Sequence, residues 1–212
     1  PLPMYLLRPL PPHLVRGIAE AHDNSILNTF RSLFGIADQP QWNESLHKVT
    51  FDNWVRQARL PHRYAGCGLR NSTRTSRPAY WASWADSVQS ICQRFPSVGA
   101  RMVFHLGAAQ ACLDPSVLPF RCIKDVEFAG RWCEDAGWQE RPTWVDLAAG
   151  CRPPVPPQED LQLGEFQHGW QYHASNVVEK REFDDLMQAL AFPSARRNAA
   201  CAGKARLHSC KG

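Results

Sequence analysis

Phe183-Asp184-Asp185 sets two adjacent carboxylates behind an aromatic ring. Paired aspartates of this kind hold two metal ions for phosphoryl transfer when a turn between two strands presents them. Here the flanks, Val178-Glu179-Lys180-Arg181-Glu182 and Leu186-Met187-Gln188-Ala189-Leu190, read as helix. The pair is therefore expected on a solvated helix face, with no catalytic role. Gly66-x-Gly68 has a spacing that can wrap a phosphate, but no Gly-Lys-Ser/Thr follows, and a tight turn is the expected use of these glycines. His168 and His173 lie either side of Gly169-Trp170, and Cys201, His208 and Cys210 cluster near the end, at spacings that fit no standard zinc site. The cysteines at 67, 92, 112, 122, 133, 151, 201 and 210 include no C-x-x-C pair. They are expected to be free thiols, several of them small buried residues on helices. No catalytic residue, metal or cofactor is assigned from these groups.

The chemistry that remains is cationic. Between Asn53 and Ala85 there are six arginines, at 56, 59, 63, 70, 74 and 77, and no Asp or Glu. The stretch from Asp114 to Glu165 is net acidic, and Leu186 onward is net basic, so the overall charge of +4 conceals a segregated distribution. Arginine suits bidentate contact with phosphate and stacking on bases. A basic, aromatic-containing segment flanked by neutral or acidic ones is a footprint of polyanion contact. Arg59, Arg63, Arg70, Arg74 and Arg77 are the candidate nucleic-acid-binding residues. Arg70, Arg74 and Arg77 share one face if the helix that contains Pro78 extends back through Asn71, and Arg59 and Arg63 flank the glycine loop. The plainer reading is a solvated arginine-rich surface whose aliphatic stems pack over aromatic faces.

These residues need elements to position them. Hydrophobic residues make up 44% of the chain, with 8 Trp and 10 Phe, enough for a packed core. The 17 prolines predict several short helices with breaks between them. The spacing predicts a helix over about 13–34, with Leu14, Ile18, Ala21, Ile26, Phe30 and Leu33 inward and Gly35 as its stop. A second is expected over 43–59, capped by Asn43, with Leu46, Val49 and Val55 as its stripe. Trp81, Trp84, Val88, Ile91 and Phe95 alternate by three and four and define a third over 78–95, with Pro78 in its first turn. Further helices are expected over 98–112, 116–136, 142–149 and 176–190. The prolines of 151–158 read as an extended linker. The fold class is mainly α, an irregular multi-helix bundle with Pro-rich breaks. Its expected parts are residues 1–150, the linker at 151–158, and a smaller helical segment with a basic tail at 159–212. The first residue is Pro1, so the sequence is expected to begin inside a longer reading frame, and no apolar run approaches the ~20 residues of a membrane span. A soluble, non-secreted protein is expected.

Several blocks carry a resemblance. Tyr5-Leu6-Leu7-Arg8 with Pro11-Pro12 and Ala19-Glu20-Ala21-His22-Asp23 is similar to the segment after the palm in a group of LINE-type (non-LTR) retrotransposon reverse-transcriptase polyproteins. Leu60-Pro61, then Gly66-Cys67-Gly68-Leu69-Arg70-Asn71-Ser72, resembles that group's Leu-Pro…Gly-Gly-Leu-Gly-Leu-Arg-Ser motif, with Ala65 at the first glycine and Cys67 at the first leucine. Ala79-Tyr80-Trp81-Ala82-Ser83-Trp84-Ala85-Asp86 is the most specific block, and Gly164 to Ser175 is a further match. The resemblance implies a thumb-like and connecting region that helps hold a template–primer duplex, lacking the palm aspartates. It implies RNA, DNA or RNA–DNA hybrid as partner through backbone contacts, together with the upstream palm of the same polyprotein, and a nuclear location. The alternative is a decayed retroelement-derived helical protein or protein-interaction module with no nucleic-acid role.

Overall fold

The computed structural model describes residues 6–33, 35, 44–154 and 169–190, with the backbone alone over 44–50. It is mainly α, and no strand occurs among the described residues. The helices are α1 (Pro12–Leu33), α2 (Glu44–Ala58), α3 (Ser72–Arg94), α4 (Pro96–Ala111), α5 (Arg121–Asp135), α6 (Trp144–Ala148) and α7 (Trp170–Ala189), with 3-10 turns at His62–Tyr64 and Pro115–Val117. Contacts divide the chain into two compact units that are not linear along it. The first takes described residues of 1–16 and 74–178, the second those of 17–73 and 179–212. Residues 151–154 of the expected linker carry no regular secondary structure, while 155–158, Gly164 to His168, Asn43 and the basic tail lie outside the described residues.

The first unit is organised around tryptophan. Trp81 of α3 is fully buried and meets Trp138 edge-on at 4.8 Å, Trp170 edge-on at 6.1 Å, and Trp144 at 5.9 Å. Edge-to-face arrangements place the positive rim of one ring against the negative face of another, which adds to the burial of large apolar area. Around these rings pack Val88 of α3, Leu106 of α4, Ile123 and Val126 of α5, Leu147 of α6 and Ala174 and Val178 of α7. Helix α4 packs against α5 and α6. Helix α6 has five residues, too short to persist alone. A reciprocal capping box between Thr143 and Asp146 and the burial of Trp144 and Leu147 hold it. Trp170 begins α7 six residues before the expected start at 176, because its ring belongs to the tryptophan cluster.

An ion pair is buried beside this cluster. The Glu127 and Arg141 side chains are each 1% exposed; Arg141 Nη2 donates to Glu127 Oε1 at 3.1 Å, and its Nε donates to Glu134 Oε1 at 2.6 Å. Arg131 Nε reaches the same Glu127 oxygen at 3.1 Å. A Cβ at Gly130 would collide with the Arg141 guanidinium and press on Trp81 Cδ1, so only glycine leaves room for both. Cys133 lies alongside, and burial pushes its thiol up to about 12, keeping it protonated at neutral pH. Among the described cysteines Cys133 alone is buried, fewer than expected, and Cys67, Cys122 and Cys151 are exposed.

The apolar stripes depart from the expected ones in two helices. On α1 the inward line is Val15, Ala19 and Asp23, while Leu14 is 61% exposed and Ile18 and Leu33 are also exposed. The buried position that displaces the expected face is polar, and its role is given below. On α3, Trp81 and Val88 are buried, Trp84 and Ile91 are half-buried, and Phe95 is 59% exposed in the break between α3 and α4. There Pro96 starts α4, and Gly99 lies so close to Cys92 that a Cβ would collide with it.

Two outcomes follow for stability. In urea unfolding, Trp81→Ala loses ~3–5 kcal/mol, and Trp84→Ala loses distinctly less because its ring is half-buried; a larger loss at Trp84 would contradict this core. Arg141→Met leaves Glu127 buried against a lone partial partner and costs ~3–5 kcal/mol. The double variant Glu127→Met/Arg141→Met recovers much of that loss, and no recovery would mean that the pair is not the source of the cost.

Candidate nucleic-acid interface

The second unit carries the glycine loop and three of the five arginines. Helix α2 ends at Ala58, and its last carbonyls need donors. The loop supplies donors to the last of them, at Ala58, and to Leu60 and Pro61 just beyond. Gly66 N–H donates to Pro61 O (3.1 Å), Gly68 N–H to Leu60 O (2.9 Å), and the amides of Cys67 and Leu69 both donate to Ala58 O (3.2 Å). His62 Nδ1 lies 3.1 Å from Gly66 O, and Gln57 Nε2 donates to Ala65 O at 3.3 Å. The loop is therefore the C-terminal cap of α2. Its amides are taken up by these carbonyls, so the loop is the tight turn expected of its glycines and offers none of these four N–H groups to a phosphate.

Three positions in the loop need glycine-like geometry. Ala65 has φ +59° and Gly68 φ +70°, both left-handed. A Cβ at Gly66 would collide with the Leu60 carbonyl. An alanine at positive φ costs about 1 kcal/mol relative to glycine.

The start of α3 is also occupied. Asp23 is 5% exposed, and its two carboxylate oxygens accept from Ser72 N–H (2.7 Å) and Thr73 N–H (2.9 Å), while Ser72 Oγ lies 2.9 Å from His22 Nδ1. A carboxylate at a helix N-terminus satisfies free amides and interacts favourably with the helix dipole. This remote cap explains why α3 begins six residues before Pro78, so that Pro78 falls inside the helix, not in its first turn. It also fills the place that an anion would take at this terminus.

Each candidate arginine has a definite setting. Arg59 is half-buried just past α2, with Nη2 3.5 Å from the Asp23 carbonyl oxygen. Arg63 donates to Glu179 Oε2 at 2.5 Å and lies over the Tyr64 ring, which stacks on Phe183 at 4.9 Å. Arg56, from the same acid-free run, donates to Glu182 Oε1 at 2.6 Å. The run is acid-free in sequence but not in space, because α7 brings Glu179 and Glu182 to it. Arg70 is exposed and precedes α3. The expected helical face of Arg70, Arg74 and Arg77 therefore reduces to Arg74 and Arg77, which belong to the first unit. Arg77 is exposed, its guanidinium 5.0 Å over the Trp132 ring. Among the described residues neither Arg70 nor Arg77 is paired with a carboxylate.

Sequence reasoning missed Glu179, Glu182 and Asp23 as partners. The acids of α7 could have been suspected from their three-residue spacing, but nothing local connects Asp23 to Ser72. Phe183-Asp184-Asp185 lies within α7, where Lys180 pairs with Asp184 (2.6 Å) and Arg181 with Asp185 (3.2 Å) one turn on, as the helical flanks predict. Among the described residues no three His, Cys, Asp or Glu side chains converge in a way that could hold a metal ion. His168, Cys201, His208 and Cys210 lie outside them.

Ala65→Gly relieves the positive-φ strain and raises stability by up to about 1 kcal/mol, less the entropy that glycine adds to the unfolded chain. Thermal unfolding of the two proteins measures the difference, and a clear loss in the variant would remove the strain argument. Compared with known proteins, the chain matches no family model, no curated protein and no solved structure at a significant level.

Proposed function

We propose that the chain is a non-catalytic, nucleic-acid-binding accessory region of a retrotransposon-type reverse transcriptase, contacting the template–primer backbone. The observation that carries this reading is the acid-free segment 53–85, in which Arg70 and Arg77 stand exposed and, among the described residues, without carboxylate partners. A guanidinium that no acid neutralises keeps its full Coulombic attraction for phosphate. The group's motif adds support from an independent direction. It carries glycine at the positions of Ala65, Gly66 and Gly68, and these are the loop positions with left-handed backbone or no room for a Cβ. The motif blocks also answer one another physically, since Asp23 of the first block caps the helix that begins at Ser72 of the second.

The binding in this proposal is electrostatic and indifferent to sequence, because nothing in the chain resembles a groove-reading motif. The upstream palm of the same polyprotein is its natural partner. No helix of the described residues is long and apolar enough to cross a membrane.

A second reading has its own observation. Arg56 and Arg63 are spent on Glu182 and Glu179, and Ala65 keeps a strained backbone where the group has glycine. Both favour a decayed or protein-interaction module with no remaining nucleic-acid role.

Binding of duplex DNA and of RNA–DNA hybrid at several salt concentrations separates the two. The log of the binding constant falls linearly with log salt, by about 0.9 per phosphate contact. Arg70→Gln/Arg77→Gln lowers that slope by roughly two units, and Arg63→Gln changes it little. Folding stability stays nearly constant in all three, because exposed charges contribute little to it. A folded wild-type chain that binds neither ligand at low salt establishes the second reading, and an unchanged slope in the double variant moves the basic contact elsewhere.

A further inference from the structure

The first unit exposes aromatic rings that its core does not use. Phe104 of α4 is 72% exposed and Phe120, immediately before α5, is 48% exposed. They are joined through His105, whose ring meets Phe104 edge-on at 5.5 Å and Phe120 edge-on at 5.0 Å. Phenylalanine has no polar tip that would favour water, unlike Tyr or Trp, so joined rings held at a surface mark an interaction site.

Along the sequence the charge near the rings is mostly basic. From Ser87 to Lys124 the bases are Arg94, Arg101, Arg121 and Lys124, and the one acid is Asp114. The Asp114 carboxylate is turned onto the Ser116 amide at 2.8 Å. Arg101 lies one turn before Phe104 on α4, and Arg121 follows Phe120 with 76% of its side chain exposed. Its nearest acid is Asp125, 4.0 Å from Nε, a half-buried group that also faces His13 at 3.4 Å. An exposed pair at that distance holds the guanidinium weakly.

We infer that Phe104, His105 and Phe120, flanked by Arg101, Arg121 and Lys124, form a stacking platform for single-stranded nucleic acid. The occupant must offer flat apolar faces to the rings and negative charge to the arginines. An unpaired strand offers both, with a base and a phosphate in every repeat. A duplex hides its base faces inside the stack and can use only the cations. This inference rests on the nucleic-acid reading above and extends it to unpaired strands through residues outside segment 53–85.

The test uses fluorescence anisotropy with the full chain, a labelled oligothymidylate of about 16 nucleotides, and a hairpin duplex. The wild type binds the oligothymidylate, and Phe104→Ala and Phe120→Ala each raise its Kd about fivefold or more. Both leave the salt slope and the duplex affinity unchanged, whereas Arg121→Gln lowers the slope for the oligothymidylate by about one unit. Phe104→Trp keeps the platform and retains wild-type affinity, which separates loss of stacking from loss of fold. Alanine variants that melt normally and bind the oligothymidylate as the wild type does overturn the inference. So does a wild type that binds duplex but no single strand, an outcome that leaves the proposed function standing. A chain that binds neither overturns both. If the alanine variants instead convert a self-associated form to monomer in sedimentation, with unchanged oligothymidylate affinity, the face is a protein contact and the inference falls.

Discussion

Arg141 and Glu127 are both almost wholly removed from water, and a charge in that position is tolerated only when its partners are complete. The arrangement therefore constrains everything near it. Glu127 must face inward from α5, Gly130 must lack a side chain, and the stretch before α6 must run where the guanidinium can reach both Glu127 and Glu134. Trp81 is set against the same glycine, so the ion pair and the aromatic cluster share a wall. Apolar packing alone accepts many near-equivalent arrangements of side chains. A buried ion pair does not, because a small slip leaves a donor or a carboxylate oxygen unsatisfied.

The helices themselves were largely legible in the sequence. Periodicity and proline placed α1, α2, α4 and α6 to within a few residues of the observed ends, and Gly35 stops α1 with a left-handed φ of +62°. The failures have physical causes that no local window contains. Helix α3 begins early because Asp23, 49 residues away, caps it. Helix α7 begins early because Trp170 is drawn into a tertiary cluster. The stripe on α1 turned because a carboxylate, with a structural task, took the inward position that hydrophobicity assigned to Leu14 and Ile18. Of the candidate site, composition showed the arginines correctly but could not show what faces them. Glu179 and Glu182 lie more than a hundred residues from the arginines they meet, while the glycine loop is the tight turn expected of it.

This changes how the basic segment should be weighed. A count of charges treats six arginines as equal, yet Arg56 and Arg63 are engaged with acids, Arg59 and Arg74 are half-buried, and Arg70 and Arg77 are exposed. For an engaged arginine, contact with a phosphate means exchanging one anion for another, with little net gain. For Arg70 the exchange would be with counterions and water, and in the proposed function the release of those ions drives association. Arg77 keeps one face on the Trp132 ring, which orders the guanidinium without neutralising it. Under the proposed function, such a division implies weak and strongly salt-dependent binding of polyanions.

Arg8 donates to Gln171 at 2.9 Å and to Asp86 at 2.8 Å, and its carbonyl accepts from Ser83 Oγ at 2.7 Å. The first of these contacts joins residues 163 apart. During synthesis, then, Arg8 leaves the ribosome long before α7 exists to receive it. With chain growth of about 5–20 residues per second, the wait is of the order of ten seconds. Such long loop closures slow folding far more than they weaken the native state. The tie between Arg8 and α7 thus forms only after most of the described chain has been made, and the length of chain between them, not the strength of the bond, sets when it forms.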